Sequence, residues 1–161
     1  MIRRSTLLRS LLAASVLAAA GNAARADQLD DVRAARKVRV AIDLGSPPFG
    51  MNDSAMNPTG SDVETARLLA RDLGVELEIV QTTGANRIPF LQTGKADLVI
   101  SSLSVTAERE KVIDFSTPYA QIQSVVAAPK AAQIRGFADL AGKRVATARG
   151  TTNDRLVTEG V

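Results

Sequence analysis

The residues best suited to chemistry form one short run, Ser101-Ser102-Leu103-Ser104-Val105-Thr106-Ala107-Glu108-Arg109. Three serine hydroxyls, the free N–H groups of a helix expected to start near Thr106 and one guanidinium suit an anion, a carboxylate above all. Arg109 would grip it through two parallel hydrogen bonds. A plainer assignment stands beside this one: Thr106 caps a helix, and Arg109 pairs with Glu108, Glu110 or Asp114 on a solvated face. A second cluster of the same type is Arg149-Gly150-Thr151-Thr152-Asn153-Asp154. Taken alone, Thr151 or Thr152 is an N-cap; taken with the first cluster, the two helix starts would hold a small zwitterion between them.

Catalysis has less to work with. There is no histidine and no cysteine in the 161 residues, which removes Ser-His-Asp triads, thiolate nucleophiles, disulfides and imidazole or thiolate metal sites. No Ser-x-x-Lys occurs, so the serine hydroxyls read as ligand donors. Glu108 and Glu110, two residues apart, point away from each other on a helix and make no acid/base pair. With no phosphate-binding glycine loop, calcium loop or acidic metal cluster, neither a cofactor nor a metal is expected.

The elements that must position these clusters follow from periodicity. Gln28 to Arg36 is a short polar helical stretch, and Val38, Val40 and Ile42 predict a strand running into the turn-rich loop Gly45-Ser46-Pro47-Pro48-Phe49-Gly50. Ser61-x-x-Glu64 reads as a capping box. Val63, Ala66, Leu69 or Ala70, and Leu73 continue at helical spacing, and Gly74 is a left-handed stop. Val75, Leu77 and Ile79 alternate with Glu76 and Glu78 as a half-covered strand. Asn86 caps a second helix that tolerates Pro89 in its first turn and ends at Gly94, and Leu98-Val99-Ile100 reads as a strand covered on both faces. Lys143 to Ala148 predicts a further strand before the second cluster. The order β-α-β-α-β implies an α/β fold with a mainly parallel sheet, whose ligands gather beyond the carboxyl ends of the strands. That rule selects the loop after the first strand, from Asp43 to Phe49, and the serine and arginine run after the third.

Composition agrees with a globular chain, with 45% hydrophobic and 23% charged residues, enough for one compact domain or two small ones. The net charge of +3 belongs to the leader: without Arg3, Arg4, Arg9 and Arg25, acids outnumber bases by one. With no cationic stripe and few aromatics, nucleic acid is not an expected partner. Those arginines, the apolar run Leu11 to Ala20 and Ala24-Arg25-Ala26 form the pattern of a secretory signal peptide over residues 1–26, with export to the periplasm expected. The run is too short to span a bilayer. Arg3-Arg4 fits both a twin-arginine signal and a plain positive n-region.

Several motifs occur together in order: Gly60-Ser61-Asp62-Val63-Glu64, then Asn86-Arg87-Ile88-Pro89-Phe90-Leu91-Gln92-Thr93-Gly94-Lys95-Ala96-Asp97-Leu98, then Ser104-x-Thr106-x-x-Arg109 with Asp114-Phe115-Ser116-x-Pro118-Tyr119. From about Val38 to its end the chain resembles the periplasmic amino-acid-binding proteins of ABC importers, bacterial solute-binding protein family 3. The resemblance implies a periplasmic-binding-protein-like fold of type II, two α/β lobes closing on an amino acid. Residues 27–120 would form the first lobe, and residues 121–161 a hinge crossover and part of the second. It further implies that Arg109 binds the α-carboxylate, assisted by Ser102 and Ser104, that Thr152 contributes from the second lobe with Thr151 and Asn153 beside it, and that Asp43 and Ser101 line the side-chain half. Arg87 matches a position that faces the ligand's side-chain carboxylate in glutamate- and aspartate-binding relatives, which implies an acidic ligand. The other placement for Arg87 is the helix surface near Asp72 or Glu78.

Two departures matter. Ser46 and Gly84 stand where relatives carry aromatic rings, which argues against a lysine, arginine or histidine ligand. The chain also stops at Val161, where Gly160-Val161 is expected to begin another strand, so the resemblance implies a truncated member. The acid that relatives use for the ligand's amino group and the second hinge strand would lie beyond, and unpaired sheet edges are expected. The implied role is a monomeric, non-enzymatic receptor that hands an amino acid to a membrane permease. The alternatives are an enzyme of the cyclohexadienyl dehydratase type on the same scaffold, or a detached ligand-sensing domain.

Overall fold

The computed structural model describes residues 27–160; the expected leader, residues 1–26, lies outside them, as does Val161. The chain divides into two units, one ending at Asp31 and one running from Val32. The described part of the first is the opening turn of α1 (Gln28–Ala35), which Asp27 starts by accepting the N–H groups of Asp30 and Asp31 on its carbonyl at 2.8 and 3.2 Å.

The second unit is built on β1 (Lys37–Ile42), the centre of a three-stranded parallel sheet. Its apolar residues Val38, Val40, Ala41 and Ile42 are fully buried. A short antiparallel pair, β2 (Met51–Asn52) and β3 (Pro58–Thr59), precedes α2 (Ser61–Leu73). The chain then returns as β4 (Glu76–Gln81), in register from Lys37 with Glu76 to Ile42 with Gln81. After α3 (Arg87–Gln92) it crosses to the other side of β1 as β5 (Leu98–Val99), giving the order β4-β1-β5. The expected α/β class with a parallel sheet is therefore the observed one. The connections leaving β1 and reaching β5 run to opposite sides of β1, the kind of reversal beside which ligands of parallel sheets gather.

Helix α2 buries Val63, Ala66 and Ala70 against β1 and β4. Gly74, at φ +68°, ends it, with the N–H groups of Gly74 and Val75 capping the carbonyls of Arg71 and Ala70. The expected capping box is not formed. Gly60, at φ +113°, precedes the helix, and the carbonyls of Pro48 and Phe49 receive the N–H groups of Ser61 and Asp62 at 3.4 and 2.9 Å. A Cβ at Gly60 would lie 2.3 Å from the Phe49 carbonyl oxygen, so only glycine lets the loop come this close. Glu64, released from capping, pairs with Arg67.

Other local expectations are also corrected. Asn86 precedes α3 without a side-chain capping bond, because its backbone is already helical, at φ −94° and ψ −7°. Leu98 is 37% exposed, so β5 is not covered on both faces; it lies at the edge of the sheet with β1 as its single neighbour. Arg39 ties that edge down, its N–H and Nε reaching Asp97 Oδ2 at 2.8 and 3.1 Å and its Nη1 reaching the Gly94 carbonyl at 2.6 Å.

From Ala107 onward regular structure is sparse: two 3-10 turns, Lys130–Ala132 and Phe137–Leu140, and α4 (Thr152–Gly160). The expected helix near Thr106 is a run of turns, in which Thr106 O accepts from Glu110 N–H at 2.9 Å and Arg109 O from Ile113 N–H at 3.0 Å. The strand expected over Lys143 to Ala148 is irregular and exposed, because a strand exists only with a ladder partner and none faces it among the described residues. Gly160 closes α4 and does not begin a strand.

Candidate functional site

Three loops meet at the carboxyl ends of the parallel strands. Ile42 O accepts the Thr82 N–H at 3.0 Å, joining the ends of β1 and β4, and the Asp43 N–H donates to Ser101 Oγ at 3.1 Å, joining those of β1 and β5. The Asp43 carboxylate turns back onto the Gly45 N–H at 2.9 Å. Ser101 is buried, so its hydroxyl braces two loops.

Arg109 lies next to this corner. Its Nη1 donates to the Ser104 carbonyl at 2.8 Å and its Nη2 to the Gly150 carbonyl at 3.1 Å, so it bridges the two clusters singled out from the sequence. Arg109 N–H donates to Thr106 Oγ1 at 3.3 Å, so Thr106 does cap, but it caps a turn. A cleft of about 220 Å³ is lined by Thr106, Glu108, Arg109, Thr151, Thr152, Arg155 and Glu159. Burial and the neighbouring Arg155 lower the Arg109 pKa, yet a guanidinium stays charged throughout the physiological range. Of the predicted carboxylate-binding residues, Arg109, Thr151 and Thr152 share this cleft. Ser104 offers Arg109 its carbonyl, and Asn153 faces away, its Oδ1 accepting from Ser124 Oγ at 2.6 Å.

The start of α4 is built locally. Thr151 Oγ1 accepts the Asp154 N–H at 3.2 Å and donates to the Ala148 carbonyl at 2.7 Å, while Asp154 Oδ2 accepts the Gly150 N–H at 3.0 Å. Gly150, at φ +76°, packs against Ala85, where a Cβ would come within 3.1 Å of its Cα. A Cβ at Gly84 would meet Thr151 Cγ2 at 3.0 Å. The Arg149–Thr151 loop thus packs on this glycine, with the Arg149 carbonyl 3.5 Å from the same position.

Arg87 lies neither on the helix surface nor near Asp72 or Glu78. It is buried, its Nε donating to the Gly84 carbonyl at 3.1 Å and its Nη1 to the carbonyls of Ser101 and Ser102 at 2.8 and 3.3 Å. Burial, then the nearby Arg109, lower its pKa, and Asp43 opposes them.

Sequence reasoning missed Glu108, Arg155 and Glu159 as cleft residues, and Asp62 beside Ser102. Arg155 Nη1 binds Glu108 Oε2 at 2.9 Å across 47 residues of chain, a separation that leaves no local signal; only Arg155 and Glu159, four apart on α4, were legible as neighbours. The Glu108 carboxyl is held below its usual range by its own backbone N–H, the Thr106 hydroxyl and Arg155.

Asp62, in the first turn of α2, is buried, and desolvation raises its pKa against the opposing Ser102 hydroxyl and N–H. An acid with a raised folded pKa contributes stability that is complete below its unfolded value, near 4, and lost as pH rises through the folded value. Asp62→Asn is therefore expected to melt above the wild type at pH 7 and level with it at pH 3.5, as thermal denaturation at the two pH values would show.

The family model of bacterial extracellular solute-binding proteins, family 3, matches residues 38–157. The ABC transporter arginine-binding protein 1 of Escherichia coli (strain K12) is 33% identical over 77% of this chain and 51% of its own length. The L-cystine-binding protein TcyJ of the same strain is 30% identical over 96% of this chain and 59% of its own length. The chain thus spans little more than half of these relatives. Among solved structures, the ancestral amino acid-binding protein AncCDT-1, a precursor of cyclohexadienyl dehydratase, is similar with a TM-score of 0.76 at 38% identity, over 83% of this chain and 60% of that one. The arginine-bound truncated ArgBP from T. maritima gives 0.77 at 39% identity, over 81% of this chain and 62% of that one.

Proposed function

The chain belongs to the bacterial extracellular solute-binding proteins of family 3, and from that premise we propose that it is the amino-acid-capturing part of an ABC-importer receptor, not an enzyme. The observation that carries this is the Arg109 guanidinium in a cleft with the hydroxyl residues Thr106, Thr151 and Thr152. A carboxylate entering there meets a fixed fork of donors, and Arg109 exchanges its bond to the Gly150 carbonyl for the stronger charge-assisted pair. Residues 27–120 belong to one lobe, and residues 121–161 to the hinge crossover and part of the other. The complete protein works in the periplasm after export, as a monomer, and delivers its ligand to a membrane permease. In this reading Ser102 and Ser104 are secondary contacts, Asn153 is engaged with Ser124 and makes none, and Asp43 and Ser101 line the side-chain half.

A second, finer reading is an acidic amino acid, favoured by the Arg87 side chain. The three hydrogen bonds of its guanidinium use Nε and Nη1, which leaves Nη2 to meet a side-chain carboxylate.

Thermal denaturation with each of the twenty amino acids and with prephenate tests both readings. A ligand at about 100 times its Kd adds roughly 2.7 kcal/mol. Stabilisation by at least one amino acid supports the receptor; the largest shift with glutamate or aspartate supports the acidic ligand, and one with neutral amino acids alone removes it. Turnover of prephenate without stabilisation by any amino acid would overturn the receptor reading.

A further inference from the structure

The loops after β4 and β5 leave the sheet just where its ladder stops, so something other than strand pairing must hold them. Arg87 is placed to do so. It opens α3, is 6% exposed, and spreads three hydrogen bonds over two loops: Nε to Gly84 O after β4, and Nη1 to Ser101 O and Ser102 O after β5. Ser101 Oγ extends the connection to the Asp43 N–H after β1. Ser102 has φ +48°, a left-handed conformation that is unfavourable for a serine and persists only where neighbours fix it. Its carbonyl is one of those that Arg87 holds. The guanidinium is suited to this because its donors diverge in one rigid plane, whereas an ammonium is a single point donor.

We propose that Arg87 is a positioning residue, a buried cross-brace that joins the loops after β4 and β5 through their backbone carbonyls and so sets the Ser101–Thr106 segment that presents Arg109. Its consequence for affinity rests on the amino-acid-binding reading; the brace itself does not. A contact from Nη2 to a ligand would be additional to it, since the three bonds of the brace use the other two nitrogens.

The test is residue-resolved hydrogen exchange on the ligand-free full chain, comparing wild type with Arg87→Lys and Arg87→Gln. The bonded amides of Asp43 and Asn86, in the loops that the brace steadies, are expected to exchange at least tenfold faster in both variants, while those of Ala66 and Ala70 in α2 keep their wild-type rates. Unchanged rates at Asp43 and Asn86, or an equal rise throughout the chain, would overturn the proposal, the second by making Arg87 a residue of general stability. Titration with L-glutamine, which has no side-chain carboxylate, then reads the consequence: Arg87→Lys loses at least tenfold in affinity. Full retention of glutamine affinity would overturn the positioning role. If wild type binds no amino acid, the receptor reading fails while the exchange rates still decide the brace.

Discussion

Arg109→Met is expected to lower amino-acid affinity by about 100- to 1000-fold, the equivalent of roughly 3–4 kcal/mol for two charge-assisted hydrogen bonds. The guanidinium reaches both clusters, donating to Ser104 O at 2.8 Å and Gly150 O at 3.1 Å. The melting temperature of the ligand-free chain should change by no more than a few degrees, because both bonds are exposed and water replaces them. Arg109→Lys keeps the charge without the fork and should fall between wild type and methionine. Calorimetric titration reads all three, and an Arg109→Met chain that binds like wild type would remove the carboxylate site from this cleft.

Ile42→Ala is expected to cost about 2–5 kcal/mol of folding stability. Ile42 is fully buried in the core cluster with Val38, Val40, Val63, Ala66 and Ile100. It is also the last residue of β1, so the cavity opens beneath Asp43 and the site. Urea denaturation should show a lower midpoint with an unchanged slope. Ile122→Ala, at a half-exposed position outside that cluster, serves as the control and should stay within about 0.5 kcal/mol. Equal losses at the two positions would mean that the core does not centre on β1.

What the residues determined unaided was whatever depends on near neighbours in the chain. The spacing of Val63, Ala66 and Ala70 before Gly74 specifies α2, since helical periodicity and a left-handed stop act within a few residues. Alternating Val38, Val40 and Ile42 likewise specify β1, and the β-α-β-α-β order made a parallel sheet the way to join the strands. The serine and arginine run was legible as a candidate site because it follows β5. Tertiary structure decided what depends on contacts between distant segments. The cap of α2 came from the carbonyls of Pro48 and Phe49, not from Ser61, because the chain folds that loop onto the helix. Lys143 to Ala148 has the composition of a strand, but a strand is a relation between two segments. Arg87 was legible only as a cation with two destinations. The carbonyls of Gly84, Ser101 and Ser102 settled its place: backbone carbonyls occur at every residue, so no side chain in the sequence marks the three that fold around it.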